Sequence, residues 1–222
     1  MKKTVVVLAV AALCSAFFVT SGTAAEKGTV DPKSGKACYE CHRSKVTGAY
    51  VHSALADKEC TPCHEVSAGS HQKDHKLFGV KDKSAALCYQ CHDSNSKAKS
   101  VHPVIEAESC LVCHAKHNSP QQYLLKVEAD CFNCHEKALV EQKQTTKGTA
   151  FRDGQDNLHF VHAGTNKISC LACHNVHASA QLHLITPKGK KGAETVTTTY
   201  TTTDKGGNCT TSCHDAMGYE RK

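Results

Sequence analysis

Residues 110–117 read CLVCHAKH. Two cysteines sit three apart, a histidine follows the second at once, and another histidine follows three later. Thiols and imidazoles at this spacing suit three chemistries: a zinc site, a redox disulfide, or covalent attachment of a haem. One copy leaves all three open, so the rest of the chain decides.

The chain has 222 residues and 15 cysteines. Cys14 lies in an apolar N-terminal run, and the other 14 all fall in pairs followed by histidine. Six pairs are Cys38-Tyr-Glu-Cys41-His42, Cys60-Thr-Pro-Cys63-His64, Cys88-Tyr-Gln-Cys91-His92, Cys110-Leu-Val-Cys113-His114, Cys131-Phe-Asn-Cys134-His135 and Cys170-Leu-Ala-Cys173-His174. The seventh, Cys209-Thr-Thr-Ser-Cys213-His214, carries one extra residue. A disulfide scaffold, the usual reading of an exported cysteine-rich chain, has no reason to place histidine after every second cysteine. Zinc ribbons pair C-x-x-C units without demanding that histidine. Attachment of a c-type haem does demand it. One turn of chain brings two thiols to the two vinyl groups on one porphyrin edge, and the next imidazole then lies under the ring and reaches the iron. The sequence predicts seven covalently attached haems c, with His42, His64, His92, His114, His135, His174 and His214 as proximal ligands. The Cys209 motif is a spacing variant, for which a leftover redox or zinc pair is the alternative.

Composition agrees with a cofactor-filled interior. The chain has no Trp, six Phe and six Tyr, and its mean hydropathy is negative. Side chains alone would struggle to build a core of the usual size. The N-terminus reads as a secretory signal over residues 1–25. Lys2 and Lys3 precede an apolar run from Val5 to Val19, and Thr23-Ala24-Ala25 offers small residues before Glu26. The run is short for a membrane span, which needs about 20 apolar residues. The mature chain, 26–222, is expected to be exported to the periplasm and not to span a membrane. Loss of Lys2 and Lys3 lowers the formal charge from +6 to +4, and fourteen propionates would bring the holoprotein near −10. The basic sequence charge therefore implies no nucleic-acid partner.

Nine histidines lie outside the motifs: His52, His71, His75, His102, His117, His159, His162, His177 and His183. Val51-His52, Val101-His102 and Val161-His162 each precede a motif cysteine by the same eight residues. His117 and His177 each follow a proximal histidine by three, in the matching strings HAKHNS and HNVHAS. Such registers mark distal iron ligands. His52, His102, His162, His117 and His177 fill five places. One of His71 or His75 fills the sixth, with His71 better spaced from Leu77-Phe78. The seventh is His159 or His183, with His159 preferred. The sole mature methionine is Met217, so bis-histidine, low-spin, low-potential sites are expected.

The registers define units opening at Cys38, Cys88 and Cys131, and a truncated unit over 209–222. The first and third cysteines of a unit are 22 residues apart in units one and two and 39 in unit three, an insertion of 17 lying within Lys137–Leu158. Short helices are expected near the motifs and over Ser119–Lys126, with irregular chain wrapped around a stacked haem array and little or no sheet. Residues 188–207, KGKKGAETVTTTYTTTDKGG, read as a solvated linker, with a docking strand as the sharper alternative.

Over residues 38–214 the paired motifs, the V-H string and HxxHxS resemble the doubled-CxxCH multihaem cytochromes c. The resemblance is to periplasmic electron carriers of metal- and sulfur-respiring bacteria, pentahaem donors of nitrite reductase and decahaem proteins of outer-membrane porins. It implies stacked bis-His haems passing electrons from a membrane quinol oxidase to a terminal reductase or outer-membrane acceptor. No catalytic residue is expected. Two alternatives remain: a multihaem reductase of nitrite, hydroxylamine or a sulfur oxyanion, and a subunit of a cytochrome filament or porin conduit. A reductase needs one iron with an open position, which related families often mark with Lys in place of the proximal His. No C-x-x-C-K occurs here.

Overall fold

The computed structural model describes residues 30, 35–66, 71, 78–107 and 110–221. The signal-like segment and His75 lie outside the described residues.

Before residue 188 regular structure is local. Among the described residues the four α-helices are single turns: α1 (Cys38–Cys41), α2 (Ala86–Tyr89), α3 (Pro103–Glu106) and α4 (Ala138–Glu141). The motifs at Cys110–Val112, Cys131–Asn133 and Cys170–Ala172 wind as tighter 3₁₀ turns. In all six C-x-x-C-H motifs the histidine N–H bonds the carbonyl of the first cysteine, at 2.9 to 3.1 Å. That bond closes the expected single turn. Isolated helices this short are marginal in water, so attachment and packing must hold them. The helix expected over Ser119–Lys126 is absent. Its middle, Gln122–Leu124, is one turn broken by left-handed Tyr123 (φ 59°) and Leu124 (φ 56°).

Among the described residues before 188, eight short strands form antiparallel pairs. They are β1 (Tyr50–Val51), β2 (His64–Val66), β3 (Phe78–Val80), β4 (Ser100–Val101), β5 (Asn118–Ser119), β6 (Arg152–Asp153), β7 (Asp156–Asn157) and β8 (Ala178–Ser179). β1 pairs with β5, β2 with β3, β4 with β8 and β6 with β7. The first two V-H strings lie at β1 and β4, and the HxxHxS strings end in β5 and β8. The two registers are thus opposite strands of one ladder between successive units. His52 N–H bonds the His117 carbonyl at 2.8 Å, and His102 N–H bonds the His177 carbonyl at 2.9 Å. The serine of HxxHxS closes the following loop. Ser119 and Ser179 donate to the carbonyls of Leu125 and Ile185 and accept the N–H of Gln121 and Gln181.

The C-terminus departs from expectation. Residues 188–207 do not form a solvated linker. They supply β9 (Lys188–Lys191), β10 (Glu194–Thr202) and the start of β11 (Gly206–Thr211), which with β12 (His214–Glu220) make an antiparallel sheet in the order β12-β11-β10-β9. This is the largest regular element among the described residues, so the expectation of little or no sheet fails here. Thr-rich chain suits a half-buried pleated surface. Alternate residues Val196 and Thr198 are buried and Tyr200 half-buried, while Thr195, Thr197, Thr199 and Thr201 face outward. β9 lies against the Cys170 motif so closely that a Cβ on Gly189 would collide with the Ala172 carbonyl. β12 is tied to the insertion, because Gly154 N–H bonds the Glu220 carbonyl at 2.7 Å and Asp153 Oδ1 accepts the Glu220 N–H at 3.1 Å.

Candidate haem-binding array

The side-chain core is as small as composition implies. Among the described residues the buried apolar ones are Ala85, Ala172, Ala178, Val196 and Tyr219. In place of a larger core, one continuous space of about 3500 Å³ runs through the molecule, lined by all fourteen motif cysteines and by the motif histidines. Ordinary small-molecule pockets hold roughly 300–1,000 Å³, so this space suits several large groups.

The thiols follow one another through this space in chain order. Cys38 and Cys60 are hydrogen-bonded neighbours, as are Cys88 and Cys110. Cys131 lies beside Cys170. Between units, Cys63 neighbours Cys88, Cys113 neighbours Cys131, and Cys173 neighbours Cys209 and Cys213. Each motif therefore adjoins the next, from the first to the seventh. Burial pushes the Cys60 thiol up to about 11, helped by Cys38, and burial also raises Cys88, Cys131, Cys173 and Cys209.

The histidines pair one to one. His42 faces His71 with ring centroids 5.8 Å apart, His92 faces His52 at 6.0 Å, and His64 faces His117 at 6.0 Å. His135 faces His102 at 6.1 Å, His114 faces His177 at 5.9 Å, His174 faces His159 at 6.3 Å, and His214 faces His162 at 6.4 Å. Two imidazole–metal bonds of about 2 Å each, plus half a ring on either side, span roughly 6 Å. The donor set and spacing fit iron held between two imidazoles. The tightest pair is His42 and His71, whose Nε2 atoms stand 3.5 Å apart, slightly closer than two such bonds require. Burial lowers the proton affinity of His52, His117, His174 and His177, and takes His159 down to about 4. Neutral imidazole is the form that binds metal. Lys45 and Lys116 add to the effect at His117.

The pairing follows a rule. The V-H histidine of one unit faces the first motif of the next: His52 with His92, His102 with His135, His162 with His214. The HxxH histidine faces back to the second motif of the unit before: His117 with His64, His177 with His114. His71 and His159 complete the two ends. His183, the alternative to His159, faces no motif histidine and lies edge-on to Tyr200 at 5.7 Å. It is the counterpart of Tyr123, since QQYLL and QLHLI occupy equivalent loops. Each has a left-handed pair, Tyr123-Leu124 and His183-Leu184, with φ from 56 to 59°. Such a conformation costs about 1–2 kcal/mol per non-glycine residue. The carbonyl it turns inward accepts the motif imidazole, Tyr123 O from His114 Nδ1 at 2.8 Å and His183 O from His174 Nδ1 at 3.0 Å.

The insertion of unit three has a specific role that spacing alone did not reveal. Asn157 is fully buried, and its amide donates to the carbonyls of Leu139 and Gln142 and accepts the His159 N–H. Thr149 Oγ1 lies 3.1 Å from His159 Nδ1, and the Leu158 carbonyl lies 2.7 Å from His162 Nδ1. The Phe151 ring contacts both imidazoles and Tyr219. His162 sits in a π-helical turn, Phe160–Thr165, with His159 as its N-cap. One segment thus presents two histidines to two different motifs. The seventh motif is built differently from the others. Cys209 lies in β11 and His214 opens β12, so its extra residue makes the turn of a β-hairpin in place of a helical turn.

A family model described as the doubled CXXCH motif matches residues 52–97 and 102–140. Over these stretches the chain is similar to proteins that carry the doubled CXXCH motif. Each match opens at a V-H histidine and spans the second motif of one unit and the first of the next. His52 and His92, and likewise His102 and His135, therefore pair within a single match. No curated protein and no solved structure matches the chain.

Proposed function

We propose that this chain carries electrons along seven bis-histidine c-type haems set in chain order. The carrying observation is the one-to-one pairing of seven motif histidines with His71, His52, His117, His102, His177, His159 and His162. Haem supplies the one-electron chemistry when bound. The chain's own residues tether it by Cys38, Cys41, Cys60, Cys63, Cys88, Cys91, Cys110, Cys113, Cys131, Cys134, Cys170, Cys173, Cys209 and Cys213. They also close both faces of each iron and keep successive sites adjacent. A histidine opposite every motif histidine supports a carrier over a reductase, which needs an open position for substrate. The signal-like start supports action in the periplasm, between a quinol-linked donor and a terminal reductase or outer-membrane acceptor. No helix among the described residues is long and apolar enough to cross a membrane.

The test is the mass and ferric spectrum of the purified holoprotein. Seven haems and wholly low-spin signals are expected. A high-spin component would turn the reading towards the reductase, and six haems would remove the Cys209 motif.

A further inference from the structure

We propose that the lysine-lined cavity beside the first ladder, where β1 meets β5, is a docking site for an acidic electron-transfer protein. Electrons then pass in or out midway along the array. The inference rests on the carrier function proposed above.

The cavity holds about 280 Å³ and is lined by Lys45, Lys116 and Lys126 together with Leu111, His114 and His117. Through His117 and His114 it adjoins the second and fourth sites of the array. It is smaller than an ordinary ligand pocket of roughly 300–1,000 Å³, so it suits one acidic side chain better than a cofactor. No carboxylate is among its lining residues. Lys45 and Lys116 stand near enough to act on His117 electrostatically. Among the described residues none of the three ammonium groups is paired with a carboxylate.

The second ladder, β4 with β8, supplies the comparison. The bridges His114 to Leu125 and His174 to Ile185 put Lys126 and Thr186 at equivalent positions. Counted from the motif histidines, Lys45 and Lys116 correspond to Asn95 and Val176. All three lysines are therefore neutral residues in the second copy. Thr186 is buried there, and its hydroxyl bonds the backbone of Lys188 at the start of β9. Under β9 Ala172 is 1% exposed, whereas its counterpart Val112 is 53% exposed. Both residues line the same central space, so the difference comes from the strand laid over Ala172. Val127, next to Lys126, is 70% exposed. The same face is thus closed by the chain's own sheet in one copy and left open in the other. The open copy has an apolar centre ringed by lysine, which is how protein–protein contacts are built. Fourteen propionates would make the holoprotein acidic, so a local basic ring is where an anionic partner would be steered and oriented. The lysines of β9 are placed differently, since their strand is the covering element and Lys190 Nζ donates to Thr195 Oγ1 at 2.8 Å.

The test uses the matured holoprotein. Lys45, Lys116 and Lys126 are replaced together by Gln, and Lys188, Lys190 and Lys191 are replaced together by Gln as an equal change of charge elsewhere. The probes are a reduced acidic [2Fe–2S] ferredoxin and reduced lumiflavin, which is neutral and small. Stopped-flow absorbance reads the rate of haem reduction, and carbodiimide coupling with mass spectrometry reads which lysines touch the ferredoxin. The ferredoxin should reduce the Lys45, Lys116 and Lys126 variant about tenfold more slowly at low salt. The difference should vanish at high salt, where screening removes steering. Coupling to the parent should fall on Lys45, Lys116 or Lys126. The β9 variant with ferredoxin, and both variants with lumiflavin, should keep the parental rate. Equal slowing of the two variants, unchanged rates in both, or coupling confined to other lysines would overturn the proposal. Slowing by lumiflavin would also overturn it, by assigning the three lysines to the propionates of the chain's own haems. If the triple variant binds fewer haems, Lys116→Gln alone decides, because that side chain is exposed; a rate about twofold lower with ferredoxin only is then expected. A high-spin signal in the parent would instead sink the carrier reading, so the two failures are distinguishable.

Discussion

The chain up to the Cys131 motif and the part from residue 137 onward solve one problem in different ways. In the first, a ladder of two residues per strand brings His52 and His117 together, and an equivalent ladder reaches across to join its His102 to His177 of the second. Single polar side chains support them: Asn118 donates to the carbonyls of Ser44 and Thr47, and Ser100 donates to the Gln181 carbonyl and accepts the Leu184 N–H. In the second, His159 and His162 are held by Asn157, Thr149, the Leu158 carbonyl and Phe151, and the four-stranded sheet lies alongside. The first region depends on repetition and on the groups it binds. The second has a protein core of its own. Periodic ligands thus suffice where a neighbouring unit completes the site. Where the repeat runs out, the chain must fold more conventionally to present the same imidazole.

The sharpest way to break this contrast is Asn157→Ala. It removes three side-chain hydrogen bonds from a buried position, each worth about 1 kcal/mol. Thermal or denaturant unfolding should show a loss of about 3 kcal/mol. EPR should show two altered components, those of His159 and His162. A change confined to one component would mean that the two ligands are held independently. His102→Met probes the other region. A thioether ligand raises potential, so one component should move upward while global stability stays within about 1 kcal/mol. The moving component should be the haem on Cys131 and Cys134. Movement of the haem on Cys110 and Cys113 would break the rule that V-H ligands serve the next unit.

The smallest effect belongs to Tyr219. Its hydroxyl bonds that of Tyr200 at 2.9 Å, and burial, together with that bond, raises its proton affinity well above the ordinary phenol value. The folded phenol then keeps its proton while the unfolded one ionises near pH 10. Below that pH both states are protonated and the group is silent. Above it the unfolded state sheds its proton first, and stability falls as pH rises. Tyr219→Phe should cost about 1 kcal/mol at neutral pH and flatten the alkaline loss, as read from unfolding curves between neutrality and high pH.

Sequence alone made the haem motifs and the histidine registers legible, because covalent attachment and iron ligation fix residue type and spacing. It located the insertion but not Asn157, whose role depends on carbonyls that only the folded chain brings near. A buried asparagine leaves no mark in spacing. His183 kept an ambiguous role because its contribution is made by a backbone carbonyl, and Tyr123 at the equivalent position was the available clue. The sheet was obscured by composition, since lysine, glycine and threonine resemble a solvated tether. Its signal was the alternation of Val196, Thr198 and Tyr200 with outward threonines.

The backward-facing HxxH ligands have a consequence for the order of assembly. His64 and His117 are 53 residues apart in the chain, and His114 and His177 are 63 apart. If the chain is exported and its haems are attached from the N-terminus, as the proposed function implies, the second motif of each unit is complete long before its partner histidine arrives. On the ligation proposed here, each such site stays half-closed until the following unit has crossed the membrane. Maturation then runs as a travelling front, in which every unit finishes the one ahead of it and leaves its own last site for its successor. The final successor is truncated, so the Cys170 site takes His159 from within its own unit, and the Cys209 motif, last to arrive, finds His162 already in place.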